Sequence, residues 1–184
     1  MRKAKVFERV KGNRPKYSAF DLSHERKMGM QMGKLVPAYV QEIVPGDHFK
    51  VDSEIMLRFA PLIAPIMHRV DVCMHYFFVP NRIIWSQWED FITGGQDGDS
   101  TPTMPTVTSV DSNIFKQGSL SDYLGLPVGD TTFTNNYTAS ALPFRAYTEI
   151  WNEYYRDPTM QDPVDVETAG QGTLGSLRDR CWEK

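Results

Sequence analysis

His48-Phe49-Lys50-Val51-Asp52-Ser53-Glu54-Ile55-Met56-Leu57-Arg58-Phe59 is the stretch that decides the fold class. Phe49, Val51, Ile55, Leu57 and Phe59 point one way, and His48, Lys50, Asp52, Glu54 and Arg58 point the other. That period of two belongs to a strand with one buried and one wet face. Upstream, Lys34 to Val44 is rich in β-formers (Leu35, Val36, Tyr39, Val40, Ile43, Val44) and stops at Pro45-Gly46-Asp47, which suits a turn with proline second and glycine third. Downstream, Pro61 and Pro65 break the run. Arg69 to Val79 then alternates again, with Val70, Val72, Met74, Tyr76 and Phe78 on one face and Arg69, Asp71, Cys73 and His75 on the other. Three strands between Lys34 and Val79 predict an antiparallel β-sheet and a mainly β protein.

The periodicity then changes. After Pro80-Asn81, the residues Ile84, Trp85, Trp88, Phe91 and Ile92 recur at helical spacing until Thr93-Gly94-Gly95, which predicts a short amphipathic helix over Ile83 to Ile92. From Gly94 to Asn113 the chain is Gly, Asp, Ser, Thr and Pro, a long surface loop or insertion, and residues 114–140 hold only apolar islands at Leu120 and Tyr123-Leu124. A second amphipathic helix is predicted from Pro143 to Arg156. Tyr147, Ile150, Trp151 and Tyr154 share one face, Pro143 suits the first turn, and Asp157-Pro158 ends it. The organisation expected is a basic arm at 1–17, a β-rich part with its following helix at 18–93, a loop-rich insertion at 94–140, a helix at 141–158 and a polar flexible segment at 159–184.

With 41% apolar and 23% charged residues, the composition is that of a globular protein rather than a disordered or fibrous one. The longest apolar run, around Leu62 to Met67, falls far short of the roughly 20 residues that span a bilayer, so no membrane partner is expected. Glu8, Arg9 and Lys11 occupy the place where a signal peptide needs an apolar stretch. Cys73 and Cys181 stand far apart with no CxxC, which fits a reducing compartment such as a bacterial cytoplasm. The net charge of −3 conceals a split: Arg2, Lys3, Lys5, Arg9, Lys11, Arg14 and Lys16 face Glu8 alone, so the first 17 residues carry +6 and the rest −9. A basic arm on an acidic body reads as a tether for a polyanion, and these seven residues are the candidate nucleic-acid contacts. The plain alternative is a solvated terminus.

No motif supports catalysis or a cofactor. Gly170-Gln171-Gly172-Thr173-Leu174-Gly175 has GxGxxG spacing, but its lead-in, Asp162-Pro163-Val164-Asp165, is no buried strand, and the sequence stops short of the position, about 20 residues on, where the acidic partner is expected. His24-Glu25 opens like a zincin helix, with Met28 where the second histidine must stand. His68, Asp71, Cys73 and His75 repeat no known ligand spacing and read instead as the polar face of a half-buried sheet, so no metal is expected. There is no GxSxG elbow. Trp85, Trp88, Trp151, Tyr147 and Tyr154 could stack on bases. At helical spacing, Trp85, Trp88, Phe91, Tyr147, Ile150, Trp151 and Tyr154 read better as packing faces clamped on the sheet or on a neighbouring subunit.

Four blocks, in order, carry a resemblance. They are Phe20-Asp21-Leu22-Ser23-His24-Glu25; Pro45-Gly46-Asp47; Tyr76-Phe77-Phe78-Val79-Pro80-Asn81-Arg82 with Trp85 and Trp88-Glu89-Asp90-Phe91; and Leu142-Pro143-Phe144-Arg145-Ala146-Tyr147 through Ile150-Trp151-Asn152-Glu153-Tyr154-Tyr155-Arg156-Asp157. Together they resemble the N-terminal region of the Microviridae major capsid protein, especially its gokushovirus branch, over residues 5–160. The resemblance implies a viral jelly-roll barrel with long insertions, assembled as a T=1 icosahedral shell. Its partners would be other capsid subunits, the single-stranded DNA genome and other virion proteins. It implies a virion protein made in a bacterial cytoplasm, a structural role and no enzyme activity. Capsid proteins of this family are longer, so the chain is expected to be a truncated one. A nucleic-acid-binding module working through the arm is the alternative, and a small jelly-roll enzyme or sugar-binding protein is a third class without a convergent polar constellation.

Overall fold

The computed structural model describes residue 12 and residues 16–108, 116–128 and 138–167. Pro80 leads into α1 (Asn81–Ile84), and α2 (Trp88–Thr93) follows after a break at Trp85. The single helix expected over Ile83 to Ile92 is therefore two short ones. Trp85 leaves helical geometry for an extended backbone while its N–H still bonds the Asn81 carbonyl at 3.0 Å. The break drops the Trp85 ring, 4% exposed, into a core. Helix α2 stops where the sequence says it should: Gly94 adopts a left-handed φ of 83° and its N–H bonds the Asp90 carbonyl at 2.8 Å. Gly95, also left-handed, admits no side chain, since a Cβ there would stand 2.7 Å from the Ser100 Cβ.

The sheet lies within the residues read above as an insertion. β1 (Thr106–Thr108) pairs antiparallel with β2 (Thr138–Ser140) in the register Thr106 to Ser140, Val107 to Ala139 and Thr108 to Thr138. Val107 points into the core between two exposed threonines, the alternation of a one-sided strand in its shortest form. Between the two strands, α3 (Leu120–Tyr123) forms a single turn on which Leu120 is buried.

The central element is α4 (Leu142–Ile150), entered through Pro143 as predicted and continued by a π-helical turn, Trp151–Tyr155. Apolar clusters pack on both sides of it. Phe144, Tyr147 and Trp151 join Val107, Leu120 and Ala141 on one side, and Leu142 joins Ile84 and Trp85 on the other. Phe144, Ile84 and Val107, each 1% exposed, contribute about 1.5–3 kcal/mol apiece by leaving water.

The three-stranded sheet expected between Lys34 and Val79 is a correction. Among the described residues the one sheet has two strands, β1 and β2, and residues 34–79 form no ladder. The turn at Pro45-Gly46 is there, with Gly46 at a φ of 96° and the Asp47 N–H bonded to the Val44 carbonyl at 3.1 Å. The strands flanking it do not pair. Their apolar faces stand open: Val51 is 65% exposed, Leu57 48% and Phe59 56%. A period of two states which face wants cover but not what supplies it. A strand exists only once a partner accepts its backbone hydrogen bonds, and a lone hairpin is marginal in water.

Residues 26–38 instead run as a strap over the helical body. Arg26 donates to the carbonyls of Ala38, at 2.6 Å, and Tyr123. The Tyr123 hydroxyl donates to Gly29 at 2.5 Å, and that of Tyr147 to Leu35 at 2.9 Å.

Candidate functional site

The π-turn gathers a group of aromatic and titratable side chains. An α-helix beginning at Leu142 would place Tyr154 beside Tyr147 and Trp151. Here the Arg156 N–H bonds the Trp151 carbonyl at 2.9 Å, five residues back, and the extra residue rotates the face by one position. Tyr155 therefore takes the inward place, packed against the cluster of Phe144 and Trp151, and Tyr154 stands 69% exposed.

Onto that turn the segment before α1 lays His75 and Phe77, the first of which the alternation had assigned to a polar outer face. His75 stacks on Tyr155 with ring centroids 5.9 Å apart and planes 15° from parallel, and its Nδ1 is hydrogen-bonded to the Tyr155 hydroxyl. Phe77 meets Tyr154 at 4.9 Å, tilted 49°. The result is an open cleft of about 400 Å³ lined by His75, Tyr76, Phe77, Tyr154 and Tyr155. Burial, and then the neighbouring Cys73, push the Tyr155 hydroxyl up from its ordinary pKa, so it stays protonated at physiological pH. On the other side of the same segment Tyr76 shares a 2.5 Å hydrogen bond with Ser53.

The remaining aromatic candidates are placed as follows. Trp85, Trp88 and Phe91 form a ring triad with centroids 5.2 to 6.0 Å apart, Trp85 buried, Trp88 half-buried and Phe91 42% exposed. Tyr147 and Trp151 are buried and Ile150 is half-buried. Of the candidate nucleic-acid contacts, Lys16 is exposed, and Arg2, Lys3, Lys5, Arg9, Lys11 and Arg14 lie outside the described residues. So does the GxGxxG match at 170–175. The histidines, Asp71 and Cys73 do not converge: His24 bonds the Leu22 carbonyl, Asp71 pairs with Arg69 at 2.6 Å, and Cys73 is exposed. No three potential ligands gather among the described residues. No described helix is long and apolar enough to cross a membrane.

Sequence reasoning missed Arg145, which sits inside the body at 3% exposure. Its guanidinium donates to the Ile84 carbonyl at 3.2 Å and the Glu167 carbonyl at 2.6 Å, which joins the end of α1, the middle of α4 and the chain beyond the π-turn. Burial lowers its pKa, while Glu167 and Asp165 oppose that. Arginine is protonated in any case, so the group is a buried cation. Its place in Phe144-Arg145-Ala146-Tyr147, between two buried aromatics, was the available signal.

Residues 8–178 match the family model described as "Capsid protein (F protein)". The chain is similar to the protein named capsid protein VP1 of Chlamydia phage 1, with 41% identity over 159 residues, covering 82% of this chain and 26% of that protein. It is 34% identical to the VP1 of Bdellovibrio phage phiMH2K over 81% of this chain and 27% of the relative. It is 28% identical to that of Spiroplasma virus 4 over 92% and 30%. The chain thus spans about a quarter to a third of the length of the curated relatives it matches.

Proposed function

We propose that this chain, which belongs to the phage capsid protein (F protein) family, is shell-building polypeptide of a small icosahedral single-stranded-DNA phage, active through self-association and not through catalysis. The family match across residues 8–178 carries the proposal. The relatives are named capsid proteins, which favours this over a free-standing nucleic-acid-binding module.

The open alternating faces give the proposal its physical content. Phe49 to Phe59 and Val70 to Phe78 have the pattern of strands buried on one face, yet those faces are exposed in this chain. In our reading they are barrel wall of a jelly roll, completed by strands from the additional length that the relatives possess. The body around α4 would then be an insertion packed beside the barrel. Residues 1–17 would reach the genome as a phosphate-binding arm, and the partners would be further capsid subunits and other virion proteins. Co-expression of the chain in frame with the additional length of a relative tests this by electron microscopy. Closed particles of uniform diameter are expected, and a soluble monomer that never assembles would refute it.

A further inference from the structure

We infer that the cleft between the π-turn and the segment before α1 is a base-stacking site for single-stranded nucleic acid. Four of its lining residues, His75, Phe77, Tyr154 and Tyr155, form a cluster of rings in mutual contact, while the fifth, Tyr76, bonds Ser53 on the other side of the segment. A planar unsaturated ligand gains most from such a lining, because ring faces attract ring edges and faces alike. The opposite side of the same segment carries Val70, Val72 and Met74 together with the rings of Tyr76 and Phe78, and it is exposed.

The geometry is held in advance. Trp151, 3% exposed, roots the π-turn in the core, and the hydrogen bond between His75 and Tyr155 joins the two sides of the cleft. Phe77 and Tyr154, 37% and 69% exposed, keep their outer faces accessible. The volume of about 400 Å³ admits a base with its sugar, within the usual size of a small-ligand site. Every base has a face that can stack on a ring, so no sequence preference is expected. No cation lines the cleft, and Glu149 and Glu153 on the same helix disfavour phosphate. Charge attraction must come from elsewhere, and the cleft should contribute a part of the affinity that salt does not remove.

The inference rests on the proposed function only in taking single-stranded DNA as the polyanion enclosed. It is tested on the full chain by fluorescence anisotropy with an oligo-dT of about ten nucleotides and its abasic counterpart. The decisive measurement is at about 1 M salt, where the screening length falls to about 3 Å and the arm's contacts fade. Oligo-dT should bind about ten-fold more tightly than the abasic strand. Tyr154→Leu should abolish that ratio and Tyr154→Phe should keep it. A ratio of one in the unmodified protein overturns the inference, whatever the variants do, as does a Tyr154→Leu protein with the full ratio. Failure of the arm reading looks different: a flat response to salt with the ten-fold ratio intact would remove the arm and leave the cleft.

Discussion

Replacing Arg145 by alanine should be among the costliest single changes in the body around α4. The side chain makes two charge-assisted hydrogen bonds to main-chain carbonyls, each worth about 1.5–3 kcal/mol. The two losses are unequal. Ile84 is 1% exposed, so its carbonyl would be left without water, whereas Glu167 is exposed and its carbonyl would be rehydrated. Against this stands the gain from no longer burying a cation whose Nε has no partner. The balance is a loss of about 3 kcal/mol, roughly one full orphaned carbonyl plus the missing stem packing. Arg145→Met, which keeps the stem volume and removes the charge, should cost about half as much. Urea unfolding followed by tryptophan fluorescence measures both, with an unchanged slope as the check that only stability moved. An alanine variant within about 0.5 kcal/mol of the parent would refute the reasoning, because it would place the guanidinium in water.

Three further outcomes are expected. Trp85→Ala should cost about 3–5 kcal/mol as a fully buried aromatic, and half-buried Trp88→Ala clearly less, an order that paired denaturation curves would establish or reverse. Neutralising Arg2, Lys3, Lys5, Arg9, Lys11, Arg14 and Lys16 should remove most of a log K against log salt slope of about −5 for single-stranded DNA, and unchanged binding by that variant would move the contacts elsewhere. The Glu149 carboxyl is held above its ordinary pKa by burial and then by Glu153. Its folded form thus favours the proton, and its contribution to stability is present at low pH and lost as pH rises through the folded pKa. Glu149→Gln should therefore be slightly more stable than the parent at pH 7 and equal to it in acid, and a loss of stability at pH 7 would contradict this.

The parts of the fold legible in the sequence are those dictated by a residue's own backbone. Gly46 and Gly94 mark a turn and a helix end because each takes a positive φ, and Pro143 marks a helix start because its missing N–H is spare there. What depends on distant chain was not legible. The three-residue β1 and β2 carry too little pattern to announce a pair. The π-turn moved Tyr155 inward and Tyr154 outward by a one-residue insertion in the hydrogen-bond ladder, which helical periodicity has no means to signal. The cleft was missed for the same reason. His75 read as one polar residue on a wet face, and only the rotated Tyr155 made it half of a pair.

The strap bears on how this body can diverge. Its joins are donated by Arg26, Tyr123 and Tyr147, and every acceptor, at Ala38, Tyr123, Gly29 and Leu35, is a main-chain carbonyl. A carbonyl is present whatever side chain stands at its position. Substitutions at 29, 35 and 38 therefore keep these bonds as long as the backbone path is kept, while loss of any one donor opens its join. Variation should be freer at Gly29 and Ala38 than at the three fastenings, while Leu35 and Val36 are held in addition by the cluster they pack on, so that the attachment of the strap persists while the exposed part of its sequence drifts.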